Sequence, residues 1–189
     1  VKELVFCLEE LSARVLLEGL LARLPLGGVQ TKFIVFEGKQ DLDKHLAKKL
    51  RGYLNPHATF IVLRDQDRND CRTLKLALQT KCQEAGRADA LVRIACREIE
   101  SFYLGDLAAA EAAFSIHNLA KLQNRARYRD PDQIERPSKE LEKVTKRRYQ
   151  KVAGSRAIAP HLSFDNTRSR SFENLIGAIR VQLDRLQGR

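Results

Sequence analysis

The 189-residue chain has neither tryptophan nor methionine, only four cysteines and four histidines, and no apolar run near the roughly 20 residues that span a bilayer. Each shortage removes a class of function. Cys7, Cys71, Cys82 and Cys96 lie far apart, without a CxxC pair or clustered histidines, so neither a zinc site nor a disulfide framework is expected, and the thiols are read as reduced and mostly buried. No GxxxxGK[ST] run is present, which removes the phosphate-cradling P-loop. Val1 to Leu8 is too short and wrongly flanked for a secretory signal, so a cytoplasmic protein without membrane contact is expected.

What remains is the composition of a globular protein, 43% hydrophobic and 31% charged, with a formal net charge of +10. A chain of this length buries roughly 70% of its unfolded surface. The positive excess makes a polyanionic partner plausible, because clustered Lys and Arg displace counterions from phosphates; a solvated basic surface is the alternative.

Hydrophobic periodicity organises the first half. Leu4 to Leu8 is a strand-like run, and Ser12 opens a segment in which Val15, Leu16, Leu20 and Leu24 recur at helical spacing until Pro25 and Gly27-Gly28. The unit repeats with a strand over Lys32 to Phe36 and a helix bearing Leu42, Leu46, Leu50 and Leu54, ended by Asn55-Pro56. Thr59 to Leu63 and Ala90 to Ala95 are further strands, separated by a helix from Asp70 carrying Leu74, Leu78 and Cys82. Continuous apolar strands alternating with amphipathic helices predict an α/β three-layer sandwich around a four-stranded, mainly parallel sheet. Beyond it, Ile99 to Phe114 reads as helix, polar stretches carry Pro131 and Pro137, Lys139 to Lys151 is dense in Lys and Arg, and Phe172 to Leu186 is a last amphipathic helix. The expected division is an α/β core over residues 1–106 and a basic helical extension over 107–189, packed on the core.

Acidic residues follow three of the strands: Glu9 and Glu10, then Asp65 and Asp67 with Asp70 behind, then Glu98 and Glu100. Ligands of open parallel sheets bind outside the carboxyl ends of the strands. Carboxylates about 4 Å apart repel by roughly 4 kcal/mol at an effective dielectric of 20, and a hard divalent cation relieves this. Each residue alone is explained as well by a loop or helix-cap role. Glu98 and Glu100 face one way only while the chain is extended, and diverge in a helix.

The order strand, Glu9, helix, strand, helix, strand, Asp65-Gln66-Asp67 resembles the TOPRIM fold of topoisomerases, DnaG-type primases and OLD nucleases. More closely, the whole chain resembles the bacterial family called domain of unknown function 4276. The match is carried by Leu8-Glu9-Glu10-Leu11-Ser12-Ala13, by Arg97-Glu98-Ile99-Glu100-Ser101-Phe102-Tyr103-Leu104-Gly105-Asp106, and by Tyr149-Gln150-Lys151 with Gly154 and Ile158-Ala159. The resemblance implies a Mg2+ site, with Mn2+ as substitute, and metal-dependent phosphodiester cleavage. Glu9 is then a metal ligand or acid-base group, Asp65 and Asp67 are ligands, and Lys151 or Arg156 neutralises a phosphate or the transition state. Arg147 and Arg148 join Lys151 and Arg156 as candidate nucleic-acid contacts. Ala13 stands where the TOPRIM pattern has a second Glu and Glu10 where it has Gly, so the missing ligand falls to Glu10, Glu98 or Glu100. The expected function is a nuclease on DNA or RNA, working with an ATPase partner in bacterial defence or repair. The alternative is a non-catalytic subunit that binds nucleic acid or the ATPase and keeps only a structural ion.

Overall fold

The computed structural model describes residues 1–165 and 168–188. Four strands, β1 (Glu3–Leu8), β2 (Gln30–Val35), β3 (Ala58–Asp65) and β4 (Leu91–Ala95), form one sheet in the order β2-β1-β3-β4. β1 pairs in parallel with both β2 and β3, with Leu8 opposite Val35 on one side and Leu63 on the other. The carboxyl ends of β1 and β2 are therefore level, and β3 runs two residues further, to Asp65. All eight residues of β3 are buried, and its centre, Phe60 to Leu63, is accordingly apolar without alternation.

The strands and helices of this part cohere through a single stripe. In α2 (Lys39–Arg51) Leu42, Leu46 and Leu50 recur every fourth residue, and they share a buried cluster with Leu78 and Cys82 of α3 (Cys71–Glu84) and with Val5, Cys7, Phe60 and Val62 of the sheet. Each such leucine contributes roughly 1.5–3 kcal/mol by leaving water. α3 starts where it does because Asp70 accepts a hydrogen bond from the Thr73 amide at 2.8 Å. α2 carries Lys48, Lys49 and Arg51 in its last turn, opposite in sign to the carbonyl end of the helix dipole.

The chain divides into two compact units that are not consecutive in sequence. The first comprises Val1–Glu10, Pro25–Ile94 and Leu175–Arg189; the second comprises Leu11–Leu24 and Ala95–Asn174. The four-stranded sheet, α2 and α3 are the frame of the first. In the second are α1 (Leu11–Leu21), α4 (Glu100–Leu104), α5 (Leu107–Phe114), α6 (Pro137–Val144) and α7 (Lys151–Ile158), and α8 (Arg170–Gln187) begins there and ends in the first.

Where one helix was expected from Ile99 to Phe114 there are two, because Asp106 breaks the run: its carboxylate accepts from Ala109 N–H at 3.2 Å and from Ser163 N–H at 2.8 Å, capping α5. The stretch between α5 and α6 is not featureless. It holds three short 3-10 turns, Ala120–Asn124, Ala126–Tyr128 and Pro131–Gln133, fixed by buried Gln123, which accepts from Leu107 N–H and donates to the carbonyls of Leu104 and Tyr128. Asp132 likewise holds the start of α8, accepting from Ser169 Oγ, Ser171 N–H and Ser171 Oγ. Gly19 permits a close helix approach: a β-carbon there would lie 2.6 Å from Ala159 Cβ. The four cysteines are free, Cys7 and Cys82 buried, Cys71 and Cys96 partly so. Among the described residues no helix is long and apolar enough to cross a membrane.

Candidate functional site

The strand order reverses direction between β1 and β3, and in such sheets the crevice at that switch is where ligands bind. Glu9 leaves β1 there, and Asp65 closes β3 beside it; the Asp65 amide donates to Glu9 Oε2 at 3.2 Å. Gly38, preceding α2, donates its N–H to the Glu9 carbonyl at 3.0 Å. Its φ of 108° is a conformation glycine alone adopts readily, so the β2–α2 connection can draw back against β1.

Asp67 reaches the same place by a route other than the extended i, i+2 pleat. β3 ends at Asp65, and Asp67 sits in a turn with φ 53°. That turn is locked reciprocally, Gln66 Nε2 donating to the Asn69 carbonyl and Asn69 Nδ2 to the Gln66 carbonyl, each at 3.0 Å. Asp70 is accounted for as the α3 cap; hydrogen bonds from Thr73 hold its carboxyl below the usual range.

Arg64, the residue that organises this edge, was not singled out from sequence. It is 3% exposed, and its guanidinium grips Asp43 with two bonds of 3.1 Å and donates to the Asp65 carbonyl. Arg64 Nη1 also stands 4.0 Å from Glu9 Oε2 and 3.8 Å from Asp67 Oδ2. Lys39, at the start of α2, closes on Asp67 Oδ2 from outside at 3.0 Å. Two carboxylates, one just after β1 and one in the turn after β3, are thus directed at one cationic position. Burial pushes the Glu9 carboxyl above its ordinary value; Arg64 and the Asp65 amide oppose that shift, and Asp67 and Glu10 reinforce it.

This focus is the test of whether a hard divalent ion suits the residues present. Carboxylate oxygens are the donors magnesium prefers, and Glu9 and Asp67 already face a shared positive charge, with buried Asp65 between them in the chain. The donor type fits. Among the described residues no three His, Cys, Asp or Glu side chains form a metal cluster; Arg64 and Lys39 stand among the carboxylates instead.

Glu98 and Glu100 belong to the second unit, and they part company there. Glu98 Oε2 accepts from Ser138 N–H at 2.8 Å in the first turn of α6, a helix-end anion. Glu100 lies at the start of α4, wholly buried; Tyr149 donates its hydroxyl to Oε1 at 2.8 Å, while Oε2 has no hydrogen-bond partner. Burial raises the Glu100 carboxyl above its ordinary value, against the pull of the Tyr149 bond and of the Lys151 charge. A buried carboxylate oxygen without a partner is costly, and that cost favours the neutral carboxyl. The Tyr149 ring explains Gly154, since a β-carbon there would lie 2.3 Å from Cδ2.

Of the basic candidates, Arg147, Arg148, Lys151 and Arg156 are exposed residues of the second unit. Arg148 Nη1 donates to the Phe114 carbonyl at 2.6 Å, and the charge of Lys151 bears on Glu100. Ala13 is buried in α1, at 3% exposure.

Comparison with known proteins agrees with this architecture. Among solved structures, the C-terminal region of the Burkholderia pseudomallei OLD protein matches with a TM-score of 0.58 and 16% identity, over 95% of this chain and 98% of that one. At that identity the likeness is one of fold. No curated protein matches the sequence. The family model described as Domain of unknown function (DUF4276) matches residues 8–180, and the chain belongs to that family.

Proposed function

We propose that this protein is a magnesium-dependent nuclease that cleaves phosphodiester bonds of DNA or RNA. The observation that supports it is the convergence of Glu9 Oε2 and Asp67 Oδ2 on one cationic position at the β1/β3 switch. In this reading Glu9, Asp65 and Asp67 hold the divalent ion, with Glu10 as a further candidate ligand and Mn2+ as a substitute. A bound ion would supply charge stabilisation for the attacking and leaving oxygens of the displacement. Arg64 holds the acidic edge in place, and Lys39 is placed to exchange Asp67 for a substrate phosphate. Lys151, on the first turn of α7, neutralises a phosphate, with Arg147, Arg148 and Arg156 adding backbone contacts. An ATPase partner in a bacterial defence or repair system fits the same reading.

The experiment is incubation of plasmid DNA and of RNA with the protein in Mg2+ or Mn2+, beside Glu9→Ala and Asp65→Ala. Cleavage by the parent protein and loss in both variants is expected. Equal cleavage by all three preparations assigns the activity to a contaminant.

One observation favours a second reading. Ala13 carries no donor where a TOPRIM site has a second Glu, which suits a non-catalytic subunit that binds nucleic acid or an ATPase around a structural ion. Nucleic-acid binding that survives both substitutions, without turnover in any metal, distinguishes it.

A further inference from the structure

The second unit carries a different concentration of charge on α6 and the turn after it. Lys139 and Lys143 are one helical turn apart and so share a face of α6. The chain then leaves the helix through two successive left-handed residues, Lys146 (φ 52°) and Arg147 (φ 62°), held by bonds from their amides to the carbonyls of Lys143 (3.1 Å) and Glu142 (2.7 Å). Glycine or asparagine meets such a conformation more cheaply. Here both places are taken by long cationic side chains.

Lys139, Glu142, Lys143, Lys146 and Arg147 line a concavity of about 490 Å³. Glu142 is satisfied by Lys139 at 3.0 Å, while exposed Lys143, Lys146 and Arg147 form no ion pair among the described residues. A neighbouring concavity of about 610 Å³ shares Lys139 and Lys143 and is of mixed charge, with Arg127 and Arg136 beside Asp130, Glu135 and Glu140, so the cationic end of this surface lies at Lys143, Lys146 and Arg147. Of the three cations around this hollow only Lys143 has a carboxylate among the described residues, Glu140, within electrostatic reach, and such a hollow suits neither a metal ion nor an apolar ligand. It suits a row of phosphates. One turn of α6 advances about 5.4 Å, and a nucleic-acid strand presents a charge about every 3.4 Å of its axis, so cations one turn apart reach neighbouring phosphates.

We propose that this groove binds the sugar-phosphate backbone of a nucleic acid through Lys143, Lys146 and Arg147, without reading its bases. The identity of that nucleic acid as substrate rests on the nuclease reading above; the binding itself does not.

The test is fluorescence anisotropy of a labelled DNA duplex and its single strand, in EDTA, for the parent protein, Lys143→Gln/Lys146→Gln/Arg147→Gln, and a control of equal charge change on α2, Lys44→Gln/Lys48→Gln/Lys49→Gln. Each phosphate contact adds about −0.9 to the slope of log affinity against log salt on duplex, and about −0.7 on single strands. Losing three contacts makes the groove variant's duplex slope shallower by roughly 2.7, so between about 50 and 200 mM salt the parent loses roughly 40-fold more affinity than the variant. The control keeps the parent slope. The groove is overturned if its variant, unchanged in circular dichroism, retains the parent slope, if the control flattens equally, or if the parent binds neither probe. Parent protein that binds through the groove but never cleaves in Mg2+ or Mn2+ defeats the nuclease reading and leaves the groove intact.

Discussion

Replacing Arg64 by alanine is the sharpest probe of how the acidic edge is held. The guanidinium is almost fully enclosed, makes a two-bond fork with Asp43, donates to the Asp65 carbonyl, and approaches Glu9 and Asp67 within 4.0 Å. Removing one member of a buried ionic network costs about 3–5 kcal/mol, because its partners keep their desolvation cost and lose their compensation. Asp43 is 40% exposed and Asp67 29%, so water recovers part of that, and Glu9 at 14% remains the main unpaired charge. The expected loss is about 2–4 kcal/mol, which for a protein of this size lowers Tm by roughly 5–15 °C. Arg64→Lys keeps a charge but loses the fork and should recover only part of the loss. Thermal unfolding followed by circular dichroism in EDTA measures both. If Arg64→Ala melts within about 1 °C of the parent, the edge is not held by this guanidinium, and the common focus of Glu9 and Asp67 has no cation to organise it. If the edge binds a divalent ion, millimolar Mg2+ should restore more stability to Arg64→Ala than it adds to the parent, since the ion then replaces the lost charge.

Three further outcomes follow from single contacts. Glu9 has a folded-state pKa raised above 4.5 by burial, so its charge costs stability as pH rises through that pKa; Glu9→Gln should be the more stable protein at neutral pH in EDTA, and the difference should vanish below pH 4.5, as urea titrations across pH would show. Gln123→Ala strands a buried N–H and two carbonyls and should cost about 3 kcal/mol in urea unfolding, with a loss under about 0.5 kcal/mol refuting the role of Gln123 as the pin of the 3-10 turns. Gly154→Ala gains helix propensity but drives a methyl into the Tyr149 ring; a net loss of about 1–3 kcal/mol is expected, and an equal or higher Tm would refute the close approach.

What could be read from sequence was whatever repeats with a period. The strands around Leu4–Leu8 and Thr59–Leu63 and the Leu42-Leu46-Leu50 stripe announce themselves because burial on a strand or helix face demands apolar residues at fixed spacing. α6 and α7 are each only eight residues long, barely two turns, and the segment bearing them shows as a basic run. Their geometry comes from single polar contacts at long sequence separation, Glu98 to Ser138 and Tyr149 to Glu100, which local spacing does not encode. Arg64 fails to stand out for a related reason. An arginine at the end of a strand reads as the first solvated residue, and only the presence of three carboxylates from Asp43, Glu9 and Asp67 around it turns it into a buried cation. The acidic residues after β1 and β3 suggest that a positive charge is needed at the switch point; they do not say which one. The fold supplies one from its own sequence, so the edge can form without a metal, and on the proposed reading a divalent ion entering there would compete with Lys39 and Arg64 for Asp67 as well as with water. The strength of those pairs would then limit metal affinity, and Lys39, exposed where Arg64 is buried, would be the first of the two to yield.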